Sequence, residues 1–434
     1  YDIVVSKTIG RGLKLADEDM KNGLELTKTI GQDSGKLLEA HHTNEIINIV
    51  MAGALAAEAG DVHIDPTEDG VTIRYRIDGI LHDIAKLGRE HYIPLLSEIK
   101  NTAGFAANLK KPTYDGRFTI YAPQAKIDCR ISIIIGGYGE TAVIRLLSSQ
   151  AKSLEMEKLG IGSVSLDIIN SAIKKTKGII LTTGPTGSGK TTTLYSLLNK
   201  LNSPDVKIIT IEDPIEYNLE GIIQTQVSSE EGYTFAAALR SLMRQNPNII
   251  MVGEIRDDET AKVAIEAALT GHLVLSTIHA NSSAGAIARF VGLGVDKPLL
   301  SSSIECSIGQ RLVRKLCPNC KVKDGENKEL IAKAEEILKQ IAANKKIKIP
   351  AERNFYKAVG CEQCGKIGYK GRVGIYEAIS MTPEMQKLIQ EQTVTESEIE
   401  KLAIEQGSML MMHDGILKAL AGETTLEEVF RVAA

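Results

Sequence analysis

The spacing of apolar positions changes character near residue 150. From Thr43, the residues Ile46, Ile47, Val50, Met51, Ala54 and Leu55 recur at helical spacing, which predicts an amphipathic helix ending near Gly60. Val71, Ile73, Tyr75 and Ile77 then alternate with Thr72, Arg74 and Arg76, which predicts a half-buried strand closed by an Asp78–Gly79 turn. Ile127, Cys129, Ile131 and Ile133 alternate in the same way against Asp128, Arg130 and Ser132. Helix and alternating strands together predict a small α+β domain over 41–147. The stretch 1–40 has weak periodicity and reads as a short hairpin or arm. Small polar residues from Ser148 to Ser153 open a linker over 148–158. Beyond it, Gly178–Thr183, Ile208–Ile211, Ile249–Val252 and Leu273–Ser276 are continuously apolar or nearly so, and helical patterns separate them. Strands buried on both faces of a parallel sheet read this way, so 159–310 is expected to be an α/β core. One of the helical patterns, Tyr233–Gln245, carries Arg240 and Arg244 on one face, either as a solvated pair or as a phosphate contact. From Pro383 the pattern predicts helices that pack on that core.

Composition narrows this only a little. The chain has 434 residues, 43% hydrophobic and 24% charged, enough for about two or three globular domains with large cores. A net charge of -4 gives the whole chain no electrostatic reason to seek nucleic acid or anionic lipid. No apolar run approaches the ~20 residues of a membrane span, and the start lacks a basic-then-apolar signal pattern. Tyr1 in place of Met raises the expectation of a fragment.

The candidate chemistry gathers at the ends of the apolar runs. Gly184-Pro185-Thr186-Gly187-Ser188-Gly189-Lys190-Thr191-Thr192 satisfies G-x-x-x-x-G-K-[ST] between an expected strand and an expected helix. Its glycines let consecutive backbone N–H groups turn inward around phosphate oxygens, and the helix N-terminus adds partial positive charge there. Lys190 is placed to reach the β- and γ-phosphates, and the Thr191 hydroxyl to ligate Mg²⁺. The next three strands end in Glu212 to Glu216, Gly253 to Asp257, and Thr277 to His279. Ligands of parallel sheets bind at such carboxyl ends. Glu254 follows four apolar residues and a glycine, where an acid supports Mg²⁺; Glu216 or Glu212 is a candidate to orient water, and His279 to sense the γ-phosphate. His272 has a plainer alternative, capping the helix that ends at Leu269. Arg74 and Arg76 share a strand face that offers no acid on the same strand, so they are candidates to meet an anion; the alternative is a solvated face.

Four of the six cysteines form two pairs, Cys317/Cys320 and Cys361/Cys364. Thiolates three residues apart can share one ion, and two such knuckles complete a tetrahedral Zn²⁺ site. A catalytic dithiol is the rival reading. A nucleic-acid ribbon looks similar, and Lys345, Lys346, Lys348, Lys366, Lys370 and Arg372 permit it, but no aromatic platform interleaves them.

Four stretches occur in order: Gly-Pro-Thr-Gly-Ser-Gly-Lys-Thr-Thr-Thr from Gly184, Ile-Glu-Asp-Pro-Ile-Glu-Tyr from Ile211, Val-Gly-Glu-Ile-Arg-Asp from Val252, and Thr-Gly-His-Leu-Val-Leu-Ser-Thr-Ile-His-Ala-Asn from Thr270. From about 43 to 434 the chain resembles the type II secretion and type IV pilus assembly ATPases. The resemblance implies an α/β fold: a RecA-like P-loop ATPase domain preceded by a small α+β (PAS-like) domain, with a tetracysteine zinc module over 311–376 and a C-terminal helical region over 377–434. It implies residues 184–192 as Walker A, Glu216 as catalytic base, Glu254 as an atypical Walker B acid, His272 and His279 as a histidine box, and Arg74 and Arg76 as arginines that reach nucleotide. It further implies ATP, Mg²⁺ and Zn²⁺, and a cytoplasmic homohexamer whose domains rotate about the linker. That ring would associate peripherally with the inner membrane through a platform protein, without nucleic acid. Within the resemblance the tetracysteine module marks assembly-type members and disfavours a pilus-retraction relative. A nucleic-acid translocase and a scaffold that binds ATP without turnover remain rivals. Where the family commonly has Arg-Gln-Asp-Pro-Asp, this chain has Arg244-Gln245-Asn246-Pro247-Asn248, and the extra regulatory domain that many members carry is not expected within residues 1–40.

Overall fold

The computed structural model describes residues 12–28, 30–31, 33–35, 38, 42–105, 112–147, 155–342, 347, 349–350, 352–391 and 393–433. Most of the expected linker and the first part of the expected arm lie outside the described residues. The chain separates into two compact units: the described residues of Tyr1–Ser149 with Val359–Lys370, and those of Gln150–Ala358 with Gly371–Ala434.

The first unit begins with β1 (Gly12–Lys14) and the helices α1 (Asp17–Thr27) and α2 (Thr43–Ala56). There follow β2 (Asp61–Pro66), β3 (Gly70–Ile77), β4 (Ile80–Gly88), α3 (Arg89–Thr102), β5 (Thr113–Ala122), β6 (Ala125–Gly136) and β7 (Gly139–Leu147). Seven strands form one sheet in the order β1-β5-β6-β7-β2-β3-β4. Pairing is antiparallel except at β1, which adds to β5 in parallel across more than a hundred residues of sequence. Asp78 and Gly79 both have positive φ, 49° and 86°, the backbone that the tight β3–β4 turn requires. The apolar stripe of α2 buries Ile46, Ile49, Val50 and Met51 in one core with Val62, Ile64, Ile73 and Tyr75 of the sheet. The Tyr75 hydroxyl satisfies its buried position by donating to the Val50 carbonyl, 2.5 Å away.

The second unit opens with α4 (Ser163–Ala172), β8 (Gly178–Thr183), α5 (Lys190–Leu201), β9 (Ile208–Glu212) and β10 (Ile223–Gln226). It continues through α6 (Phe235–Met243), β11 (Ile249–Val252), α7 (Asp258–Leu269), β12 (Leu273–Ile278), α8 (Ser283–Gly292), α9 (Lys297–Ser303) and β13 (Ile304–Leu316). A short ribbon of β14 (Val322–Lys323) and β15 (Tyr356–Lys357) flanks α10 (Lys328–Ala342). The long β16 (Tyr369–Ser380) and the helices α11 (Pro383–Gln390), α12 (Glu396–Glu405), α13 (Met411–Leu420) and α14 (Leu426–Ala433) complete it. The main sheet runs β10-β9-β11-β12-β8-β13-β16, and each pair from β10 to β13 is parallel. Alternate residues of the central strands enter two cores, as the continuous apolar runs require. Leu181, Ile211, Ile250 and Val274 pack with α6, α7 and α8. Ile180, Ile208, Met251 and Leu275 pack with Leu194, Tyr195, Leu197 and Leu198 of α5 on the other side. Asp257 caps α7 by accepting from the Thr260 amide at 2.7 Å, and Ser282 caps α8 through the Gly285 amide at 2.8 Å.

Charged groups lock the last helices onto this sheet. Glu428 of α14 is almost fully buried and accepts from the Arg314 amide at 3.0 Å, the Arg314 guanidinium at 2.8 Å and the Arg431 guanidinium at 2.7 Å. Burial alone would raise its pKa, but the bonds from Arg431 and Arg314 outweigh it and bring the carboxyl down to about 2. Asp414 of α13 accepts from the Tyr376 amide of β16 at 2.8 Å and pairs with Lys418 at 2.5 Å. Met385, Ile389, Ile399 and Ala403 of α11 and α12 join the core on the α7–α8 side of the sheet, as the helical pattern after Pro383 predicts.

Candidate nucleotide site

The carboxyl ends of β8, β9, β11 and β12 carry the chemistry. Between β8 and α5 the chain turns through Gly184, Gly187 and Gly189 at φ values of 150°, 79° and 86°. A Cβ at Gly184 would sit 2.4 Å from the Gln310 carbonyl oxygen and 2.5 Å from Ser188 Oγ, so glycine is required there. The loop closes around its own lysine, whose Nζ donates to the carbonyls of Gly184 at 2.8 Å and Pro185 at 3.0 Å. Ser188 Oγ is buried without a partner among the described residues. Pro185, Thr186 and Gly187 are exposed, and Thr191 and Thr192 open α5 half-buried. A positive-φ cradle, an orphaned hydroxyl and a helix N-terminus around one ammonium fit a nucleotide triphosphate. Burial lowers the Lys190 pKa; the Glu254 carboxylate opposes that effect and the Arg311 guanidinium adds to it.

Glu254 lies two residues past β11 and is held from both sides. One carboxylate oxygen is 2.6 Å from Arg256 Nη2, and the other is 3.1 Å from His279 Nε2. Backbone contacts fix this pairing: the Ile255 amide donates to the Thr277 carbonyl at 2.9 Å, and the Thr277 hydroxyl to the Gly253 carbonyl at 2.8 Å. Thr183, the last residue of β8, accepts from the Ala280 amide at 3.0 Å and so ties the His279 loop to the start of the phosphate loop.

The two glutamates after β9 occupy different environments. Glu212 is buried, with 3% of its surface exposed. It accepts from the Tyr195 hydroxyl, from Thr210 Oγ1 at 2.5 Å and from Gln224 Nε2 at 3.0 Å. That carboxylate is occupied by hydrogen bonds from three elements of the fold. Glu216 is half-buried, and its amide reaches the Tyr195 hydroxyl. Tyr217 stands edge-on to Tyr195 with ring centroids 4.7 Å apart. Tyr195 belongs to α5, so the helix that follows the phosphate loop also positions the loop bearing Glu216.

His272 does not join this rim in its own chain. It precedes β12, a strand length of roughly 20 Å from His279, and its Nδ1 lies 2.9 Å from the Ala267 carbonyl at the end of α7. This is the capping alternative. Arg240 on α6 and Arg244, which caps its C-terminal end, are exposed, and Arg240 pairs with Glu259 at 2.7 Å.

In the first unit Arg74 and Arg76 have acidic neighbours on β2, a pairing that the β3 sequence alone does not reveal. Arg74 is 2.6 Å from Asp65, and Arg76 is 3.1 Å from Asp61, which also binds Arg145 at 2.8 Å. Register places Arg76, Asp61, Arg145, Arg130 and Arg117 directly opposite one another across five strands. Four guanidiniums therefore share one row with one carboxylate. Only strand pairing creates this row, so the sequence gives no local signal for it.

The Sγ atoms of Cys317, Cys320, Cys361 and Cys364 all lie within 4.8 Å of one another. Cys361 and Cys364 Sγ are 3.7 Å apart, close to the roughly 3.8 Å edge of a tetrahedron with Zn–S bonds of about 2.3 Å. The amides of Cys361 and Gly368 each donate to Cys364 Sγ at 3.2 Å, which fixes that sulfur in the cluster. The donor set fits Zn²⁺.

The model of the type II/IV secretion system protein family matches residues 37–431. The chain belongs to that family. It is 42% identical to the type II secretion system protein E of Aeromonas hydrophila over 387 residues, covering 89% of this chain and 75% of that protein. It is 40% identical to the type II secretion system ATPase E of Vibrio cholerae over 388 residues, 89% of this chain and 75% of that one. Among solved structures it resembles the ATPase DotB of Legionella pneumophila, with a TM-score of 0.63 and 21% identity over 89% of this chain and 94% of that one. It also resembles the pilus retraction motor PilT with bound ADP, with a TM-score of 0.56 and 25% identity over 88% and 95% of the two chains. As a family member with a complete phosphate loop, the chain is a secretion-family ATPase. Among the described residues no helix is long and apolar enough to cross a membrane.

Proposed function

We propose that this ATPase works as a homohexameric motor that drives assembly of a type IV pilus or a type II secretion pseudopilus. It would act at the cytoplasmic face of the inner membrane, docked on a platform protein. The observation that carries the reading is the convergence of Lys190, Glu254, His279 and the Glu216 loop on one rim, with Glu254 held by Arg256 and His279. ATP would lie along residues 184–192, with its phosphates on the loop amides and on Lys190. The Thr191 hydroxyl and, through water, Glu254 would hold Mg²⁺, which supplies charge neutralisation at the phosphates. Glu216, the second glutamate after β9, accepts the proton of the attacking water. Arg74 and Arg76 supply guanidiniums to the phosphates. Zn²⁺ held by the four cysteines would be structural, and the tetracysteine cluster supports the assembly branch over retraction. The test is genetic. Lys190→Ala in the native host is expected to abolish surface pili or secretion, whereas an excess of surface pili would mark a retraction motor and overturn the reading.

A further inference from the structure

The phosphate site has a second cation that no motif announces. Arg311 lies on β13 one residue past Gln310, whose carbonyl closes on Gly184 and whose side-chain amide donates to the Ser188 carbonyl at 2.7 Å. Its guanidinium spans two other elements. Nη2 donates to the Asn281 carbonyl at 3.0 Å, two residues past His279, and Nε donates to the Val432 carbonyl at 3.3 Å in the last turn of α14. Nη1 is buried and has no acceptor among the described residues. The bonded partners are thus neutral carbonyls; the buried Glu377 carboxylate acts on the guanidinium only through space, and the Arg311 charge is in turn felt at Lys190. A desolvated guanidinium with an unused donor is a poor structural brace. A planar fork beside a phosphate loop is instead well made for an anionic oxygen.

We propose that Arg311 is a phosphate-facing residue of the nucleotide site that ties the terminal phosphate of ATP to α14. The anion supplies the acceptor that Nη1 lacks, and the turn of the guanidinium toward it weakens the hold on the Val432 carbonyl. ATP occupancy is thereby transmitted to the C-terminal helix. This rests on the reading of residues 184–192 as an ATP site. The full chain, as wild type, Arg311→Gln, Arg311→Lys and Lys190→Ala, is titrated with fluorescent ATP and ADP analogues, and hydrogen exchange is followed over 426–433. Arg311→Gln is expected to weaken ATP-analogue binding roughly tenfold, the scale of one bond to a charged group. It should leave ADP-analogue binding within about twofold, and it should abolish an ATP-dependent rise in exchange over 426–433. Arg311→Lys should recover part of the affinity. Equal affinities for both nucleotides in wild type and Arg311→Gln would overturn the proposal, as would an equal loss for both with a lowered melting temperature. A wild-type chain that bound neither analogue would overturn the ATP reading itself, and this proposal with it.

Discussion

Replacing Glu212 by alanine separates structure from chemistry at this site. The carboxylate is buried under three donors: the Tyr195 hydroxyl, Thr210 Oγ1 and Gln224 Nε2. Burial, followed by the neighbouring Glu212 carboxylate, pushes the Tyr195 pKa far up, so the hydroxyl stays a donor. Each buried donor left without an acceptor costs about 1–3 kcal/mol. The mutation also removes the burial cost of the carboxylate and opens room for water, so the net loss is about 2–4 kcal/mol rather than the full sum. For a unit of this size that is a fall in melting temperature of roughly 5–15 °C. Thermal unfolding by circular dichroism measures it, and ATP turnover at 20 °C should stay within about tenfold of wild type if, as proposed, Glu216 is the base. A melting temperature within about 1 °C of wild type would refute the reasoning. So would an unchanged melt with turnover down a hundredfold, which would give Glu212 the chemistry.

Glu428 links stability to pH. Its folded pKa, about 2 against an ordinary 4.5, makes the carboxylate stabilising above pH 4.5, and the effect is lost as pH falls toward 2. The drop is worth roughly 3 kcal/mol, so the melting temperatures of Glu428→Gln and wild type should converge across that window; a constant gap would contradict the pairing. Elemental analysis should find about one Zn²⁺ per chain, and none, with all four cysteines freely alkylated, would remove the metal. Arg76→Ala should abolish most ATPase activity while the melt stays within a few degrees, since a partly exposed pair contributes only about 0–1 kcal/mol. Near-normal turnover in Arg74→Ala/Arg76→Ala would make these arginines ordinary surface.

Local pattern carried the parallel core. The runs ending at Thr183, Ile211, Val252 and Ser276 are apolar on both faces because both faces are covered, and the glycines of 184–189 are fixed by the turn they make. What escaped is made by pairing distant segments. Strand β13 carries Glu305, Ser307, Gln310, Arg311 and Arg314 among its apolar residues and lacks a clean period, so neither the strand nor Arg311 stood out. The occupation of Glu212 depends on Gln224 from the edge strand and Tyr195 from a helix. Asp61 and Asp65 become partners of Arg76 and Arg74 only once β2 pairs with β3. The two histidines of one motif part company because six strand residues separate them and carry them to opposite ends of β12.

In the proposed function the phosphate loop binds ATP while Glu216 activates the water that attacks it. The direct test measures nucleotide affinity and turnover together in Glu216→Gln, beside Lys190→Ala. The expected result is ATP affinity near wild type with hydrolysis reduced by roughly 10²-fold or more in Glu216→Gln, the scale of a lost general base. Binding itself should weaken in Lys190→Ala. Wild-type hydrolysis by Glu216→Gln would contradict the account and place the base elsewhere on the rim.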